Sequence, residues 1–158
     1  MKKTLCYMAF IFFLCTSTTC HRDNENNHCS IRFANRSEID IYVSCKDLYT
    51  RQDTTPVYGF SYKLEYLRIK PNEINVNALE AFSWESVFTD TRITPIDTLM
   101  IFVFDAEKVD EDVSPQEAVI ARYDVSLEDL QRNHWLLSYP PNGNMAAIRM
   151  WPPYSSYP

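Results

Sequence analysis

From residue 31 onward the chain alternates apolar and polar positions. Ile31 and Phe33 flank Arg32, and Ile39, Ile41 and Val43 alternate with Asp40 and Tyr42. A period of two marks strands with one buried face. Between the two runs, Asn35-Arg36-Ser37-Glu38 supplies turn chemistry. With Arg36 to Glu38 as the loop, the two runs form a hairpin. Ile31 then faces Val43, Phe33 faces Ile41, and Cys29 stands opposite Cys45. A slip of one residue would send half of this apolar set to solvent.

The same reading continues along the chain. Residues Phe60 to Ile69 change apolar parity between Tyr66 and Leu67, which predicts a strand with a bulge. Lys70-Pro71-Asn72-Glu73 is a turn, and beyond it Ile74, Val76 and Ala78 alternate with Asn75 and Asn77. Ala81, Trp84 and Phe88 have helical spacing, so residues 80–89 predict a short helix. Leu99 to Phe104 (LMIFVF) is apolar at every position, the signature of a central strand covered on both faces.

Residues 105–117 are acidic and read as a loop, with a strand from Val119 to Val125 beyond it. Ser126 and Asp129 have capping-box spacing, and Val125 with Leu130 matches a hydrophobic staple, so another short helix starts there. Leu136 to Tyr139 and Ala147 to Trp151 close the domain as strands, each ended by a Pro-Pro pair. Many short strands with one or two short helices predict a mostly β fold. The expected architecture is a single-domain antiparallel β-sandwich, immunoglobulin-like or transthyretin-like, spanning residues 29–158.

The N-terminus follows a different pattern. Lys2 and Lys3 precede an apolar stretch, Leu5 to Cys15, and small polar residues Thr16 to Thr19 lead to Cys20. These are the three parts of a secretory signal peptide, expected over residues 1–19. The apolar stretch is about half of the roughly 20 residues that a spanning helix needs. A cysteine directly after small residues resembles the bacterial lipobox, which makes Cys20 the lipidation site. Thr19 and Ser17 depart from the usual Gly/Ala/Ser and Leu at those positions, so cleavage with Cys20 left as a plain thiol is the competing reading. Residues 20–28 then form the lipidated cysteine and a polar tether, His21 to His28. Asp23 and Glu25 in this tether resemble the acidic signal that displays some Bacteroidetes lipoproteins at the cell surface.

Five cysteines are present, of which Cys6 and Cys15 lie in the signal. Acylation of Cys20 leaves Cys29 and Cys45, which the hairpin register makes direct neighbours. Export to an oxidising compartment predicts a disulfide between them. Two buried thiols acting as small apolar residues are the alternative.

Taken together, the signal ending in Cys20, the IRFANRSEIDIYVSC segment, DTLMIFVFDA and VSLEDLQRNHWLLSYPP resemble small exported lipoproteins of gut Bacteroidetes. No activity is assigned to that group. The resemblance implies envelope location and fold, and it transfers no site residue.

Composition narrows the function classes. Loss of the signal's two lysines takes the formal net charge from −6 to −8, which disfavours nucleic acid as a partner. Two glycines, Gly59 and Gly143, cannot write a phosphate-cradling GxGxxG or P-loop. His21, His28 and His134 lack partners at metal-ligand spacing, and the acidic run Asp105, Glu107, Asp110, Glu111, Asp112 fails the EF-hand pattern. No GxSxG elbow is present. Trp151, Tyr154 and Tyr157 lie among prolines, either packing across a sheet or stacking on sugars. Asp53-Thr54-Thr55 and Asp97-Thr98-Leu99 match a Bacteroidetes O-glycosylation motif, the former being the better candidate.

The expected protein is therefore a non-enzymatic interaction or structural module without cofactor, catalytic residues or bound metal. It is exported and lipid-anchored to the outer membrane, facing either the cell surface or the periplasm. Its partners are the membrane, through Cys20, and a glycan or protein at the envelope. A glycan-binding accessory lipoprotein is the alternative function, with a hydrolase whose site is invisible in sequence third. Oligomeric state is not legible.

Overall fold

The computed structural model describes residues 27–45, 56, 67–90 and 96–157. Within them the chain is mostly β, arranged as two sheets with a few short helices. Strands β1 (Ser30–Asn35), β3 (Ile74–Glu80) and β6 (Leu136–Tyr139) form a three-stranded sheet in the order β3-β1-β6. Strands β2 (Ile41–Cys45), β4 (Leu99–Asp105), β5 (Val119–Val125) and β7 (Arg149–Trp151) form a four-stranded sheet in the order β2-β4-β5-β7. Four short helices accompany them: α1 (Trp84–Thr89), α2 (Ala106–Asp110), α3 (Pro115–Ala118) and α4 (Leu127–Arg132).

The predicted β1–β2 hairpin is not formed. β1 is hydrogen-bonded antiparallel to β3 on one edge and parallel to β6 on the other, so it has no edge left for β2. β2 pairs with β4 in the other sheet. The corner between them is built by the buried Asn35 side chain. Its amide nitrogen donates to the carbonyls of Ile39 at 2.7 Å and Ile69 at 2.8 Å, and its oxygen accepts from the Ser37 backbone N–H at 2.9 Å. These bonds satisfy the backbone of a chain changing sheets, where a tight turn would have kept it in one. The parallel β1–β6 pair likewise departs from the all-antiparallel expectation. It joins strands from opposite ends of the chain, so no hairpin connection restrains its direction.

Inward parity nonetheless matches the alternation. Ile31 and Phe33 from one sheet and Ile41 and Val43 from the other enter one buried cluster, together with Leu99, Ile101, Val103, Tyr123, Leu130 and Leu137. β4 lies inside its sheet, between β2 and β5, and is covered on both faces. Leu99, Ile101 and Val103 face the shared core, whereas Phe102 and Phe104 join Tyr42, Ala106, Val109 and Ala118 in a second cluster.

That second cluster explains why residues 105–117 are not simply a loop. Asp105 caps α2, its carboxylate accepting from the Glu107 N–H at 3.0 Å, and Ala106 with Val109 are apolar at helical spacing. The buried side chains of both α2 and α3 cover part of the outer face of the four-stranded sheet.

Other local signals hold. Ser126 and Asp129 complete a capping box, with 3.1 Å bonds in both directions. Ser83 caps α1, which buries Trp84 and Phe88. The turn at 70–73 places Asn72 at a φ of 62°, with the Glu73 N–H donating to the Lys70 carbonyl. On edge strand β3 the alternation is real but its sense differs. Asn75 pairs with inward-facing Phe33, which leaves Ile74 and Val76 exposed on the outer side. Of the 60–69 strand, only Leu67 to Ile69 are among the described residues, with Ile69 bridging Ile41. No helix among the described residues is long and apolar enough to cross a membrane.

Candidate ligand-binding groove

The outer face of the four-stranded sheet is only partly covered by helices. Residues directly paired between neighbouring strands share a face. Phe102 pairs with Arg122, and Arg122 pairs with Trp151, so these three form one row across β4, β5 and β7. At the Phe102 end, α2 and α3 pack down. At the Trp151 end no helix among the described residues packs on the row, and Trp151 is largely exposed. Between them lies a groove of about 330 Å³, lined by Pro56, Phe102, Gln116, Val119, Arg122 and Trp151. Its volume falls at the lower end of the range for small-molecule sites, roughly 300–1,000 Å³.

Each lining group has a structural reason to be there. Phe102 is the buried floor, fixed by the central strand. Gln116 is brought to the rim by α3, which starts with Ser114 as N-cap and Pro115 in its first turn. Trp151 sits on the short edge strand β7 and is 54% exposed, whereas Trp84 and Trp135 are 2% and 6% exposed. Arg122 is oriented by Asp124 of the same strand and face. Its Nε lies 3.0 Å from Oδ1, and its Nη2 donates to Oδ2 at 3.2 Å. Arg149, paired with Asp124 across β5–β7, brings its Nε to 3.6 Å from Oδ2. The groove therefore offers an apolar floor, an indole wall, an amide and a guanidinium.

The tail aromatics divide between the two roles open to them. Tyr157 packs edge-on against Tyr139 with ring centroids 6.2 Å apart, and burial pushes its hydroxyl up to about 12. Tyr154 is half-buried in a single 3₁₀ turn. Trp151 alone of the three presents a largely open indole.

The remaining sequence candidates lie elsewhere. Cys20, His21 and Asp53-Thr54-Thr55 are outside the described residues. Cys29 and Cys45 are both half-buried thiols, and no disulfide is seen. The bridge was argued from a hairpin register, and the two strands sit in different sheets. The Cys29 thiol donates instead to the Phe82 carbonyl at 3.3 Å. Thr98 is exposed just ahead of β4.

Asp105 serves as a helix cap, and Asp110 pairs with Arg68 at 3.1 Å, tying α2 to Asp40, which lies 2.7 Å from the same guanidinium. Among the described residues, no three His, Cys, Asp or Glu side chains converge as a metal site requires.

His28, read as the last tether residue, is docked on the domain. Glu85 accepts from its backbone N–H at 2.8 Å and lies 2.6 Å from its Nδ1, and its ring stacks on Trp135 at 4.2 Å. Burial would raise the Glu85 carboxyl pKa, but the bonds from His28 outweigh it and hold the group below its usual range. His134 and Trp135 both take left-handed backbone angles, φ 51° and 58°, and the His134 carbonyl accepts from the Arg32 guanidinium at 2.6 Å. This clasp ties His28 to α1 and to the turn that carries Trp135.

Arg122 and Gln116 escaped the sequence reading. The only signal for Arg122 was its place, with Asp124, as a polar position in an otherwise apolar strand. Compared with known proteins, the chain matches no family model, no curated protein and no solved structure. The functional reading therefore rests on the groove itself.

Proposed function

We propose that this protein is an exported, lipid-anchored envelope module that works by binding, and that it holds a glycan in the groove at Trp151. The observation that carries this reading is the open indole of Trp151 directly beside Arg122, over an apolar floor. A sugar ring presents an apolar C–H face and a polar rim. The first suits an aromatic wall, and the second suits Arg122 and Gln116. We read the two sheets, which share one core, as the halves of a β-sandwich. Lipidation at Cys20 and kinship with small Bacteroidetes lipoproteins belong to the same proposal, supported by the signal-like N-terminus.

Trp151 fluorescence tests the binding reading, because the other two tryptophans are buried. Titrating the full chain with envelope and dietary oligosaccharides should shift the exposed indole's emission, and Trp151→Ala should weaken binding at least tenfold. An oligosaccharide that binds equally well to Trp151→Ala would move the site off this groove. Cys20→Ala should abolish detergent-phase partitioning, and unchanged partitioning would remove the lipid anchor from the proposal.

A further inference from the structure

We infer that the saccharide held in this groove is anionic, its charged group met by Arg122 and Arg149; this rests on the groove being the ligand site. The chain as a whole is acidic, with a formal net charge of −6, so a local excess of positive charge runs against its composition. On the open half of the outer face that excess is visible. Two arginines, Arg122 and Arg149, share one carboxylate, that of Asp124. Glu117, exposed on α3, keeps its negative charge while accepting from the Ser114 hydroxyl at 2.7 Å, and it is not among the groove's lining residues.

Geometry decides what the arginines can still do. Arg122 donates to Asp124 from Nη2, with Nε at ion-pair distance but without a hydrogen bond, and among the described residues its side chain has no other partner. Its Nη1 hydrogens are left for the groove that it lines. Arg149 does not line the groove itself but stands one row along the same face, paired with Asp124. It is 84% exposed and comes no nearer than 3.6 Å to that carboxylate through Nε, so the outer edge of its guanidinium is open to a charged group that projects from the groove. Guanidinium groups bind carboxylate and sulfate oxygens through charge-assisted, often paired, hydrogen bonds. Asp124 holds Arg122 side-on, so the fork is oriented before a ligand arrives and little side-chain freedom is lost on binding. A neutral sugar would use the indole and hydrogen-bond Arg122 through its hydroxyls, but it would bring no counter-charge for the second of two arginines that share one carboxylate. A uronic acid or a sulfated sugar would use all three groups.

The test uses the full-length chain and a panel of galacturonate, glucuronate and mannuronate oligosaccharides. Each is measured beside its methyl ester, which keeps the ring and removes the charge, and sulfated galactan fragments form a second arm. At least one anionic saccharide should bind. Esterification or desulfation should weaken it at least tenfold, Arg149→Gln should weaken it several-fold, and affinity should fall with added salt. Which arm binds separates carboxylate from sulfate recognition. Because Arg149 is exposed, Arg149→Gln leaves the fold intact, and Arg122→Lys serves as a second variant that keeps a charge beside Asp124. Equal binding of acid and ester, with Arg149→Gln unchanged and Trp151→Ala abolishing both, overturns the anionic assignment and leaves the groove standing. Binding that is indifferent to Trp151→Ala overturns the groove and this inference together.

Discussion

The tyrosine at the centre of the core offers the sharpest test of how the two sheets are joined. Tyr123 of β5 is fully buried, and its hydroxyl donates across to the Ser138 carbonyl of β6 at 3.1 Å. The bond therefore crosses from the four-stranded to the three-stranded sheet. Tyr123→Phe keeps the ring and its stacking near Phe33, at a centroid distance of 6.3 Å, and removes only the donor. A buried hydrogen bond contributes about 0.5–1.5 kcal/mol net, and an orphaned acceptor adds to the loss, so the variant should lose about 1–2 kcal/mol at pH 7.

The pH dependence gives a second, independent readout. Burial first, then the neighbouring Tyr157 and Tyr139, raise the Tyr123 hydroxyl well above its ordinary value of 10.0. A raised folded pKa means that the associated stability is complete below pH 10 and is lost as pH climbs toward the folded value. Above pH 10 the unfolded chain releases this proton and the folded chain does not, which costs the wild type about 1.4 kcal/mol per pH unit. Tyr123→Phe lacks that proton. In urea melts at pH 7, 10 and 11, the variant's deficit should shrink by about 1 kcal/mol between the last two, because at pH 10 the unfolded tyrosine is only half titrated. A deficit below about 0.3 kcal/mol at pH 7 would refute the cross-sheet bond, and one that stays constant to pH 11 would refute the burial that raises the hydroxyl's pKa.

Three further outcomes are expected. Glu85→Gln should lower stability at neutral pH by about 1 kcal/mol. Because His28 depresses the Glu85 pKa, the wild-type advantage should vanish as pH falls through and below 4.5, and a deficit persisting at pH 3 would contradict the clasp. Ile101→Ala, at a fully buried position of the central strand, should cost about 2–5 kcal/mol in denaturant melts, and a loss under about 0.5 would make β4 peripheral. Cys29 and Cys45 should both alkylate in unreduced, denatured protein, and a linked peptide pair on mapping would overturn the thiol state seen here.

Much of the fold was legible because single strands and helices are local. The period of two placed β1 and β2, the all-apolar run LMIFVF placed β4, and the Ser126–Asp129 spacing placed α4 together with its cap. Pairing was harder for a physical reason. Ile31, Phe33, Ile41 and Val43 point into one core, and they would do so equally as a hairpin or as strands of two facing sheets. Parity reports which face is buried and is silent about which neighbour is hydrogen-bonded. The deciding group was Asn35, which looked like ordinary turn chemistry and proved to be a buried corner bracing Ile39 and Ile69. Similarly, LMIFVF announced two covered faces, but its second cover came from Ala106, Val109 and Ala118, hidden inside a run that charge alone marked as a loop.

The candidate groove shows the same limit more strongly. Trp151 stood out in the sequence as an aromatic among prolines, yet nothing local separated it from Tyr157, which packs. What separates them is position in the sheet. β7 is an edge strand, and its pairing with β5 sets Trp151 beside Arg122 on the face that α2 and α3 leave open. Gln116, Arg122 and Trp151 are spread over separate elements, and only the β4-β5-β7 register with α3 above it makes them one surface. A ligand site of this kind has no motif, because no single helix or strand contributes more than two of its groups. Its chemistry becomes readable once the rows across the sheet are drawn: an apolar residue from the centre, a cation next to it, and an indole at the rim.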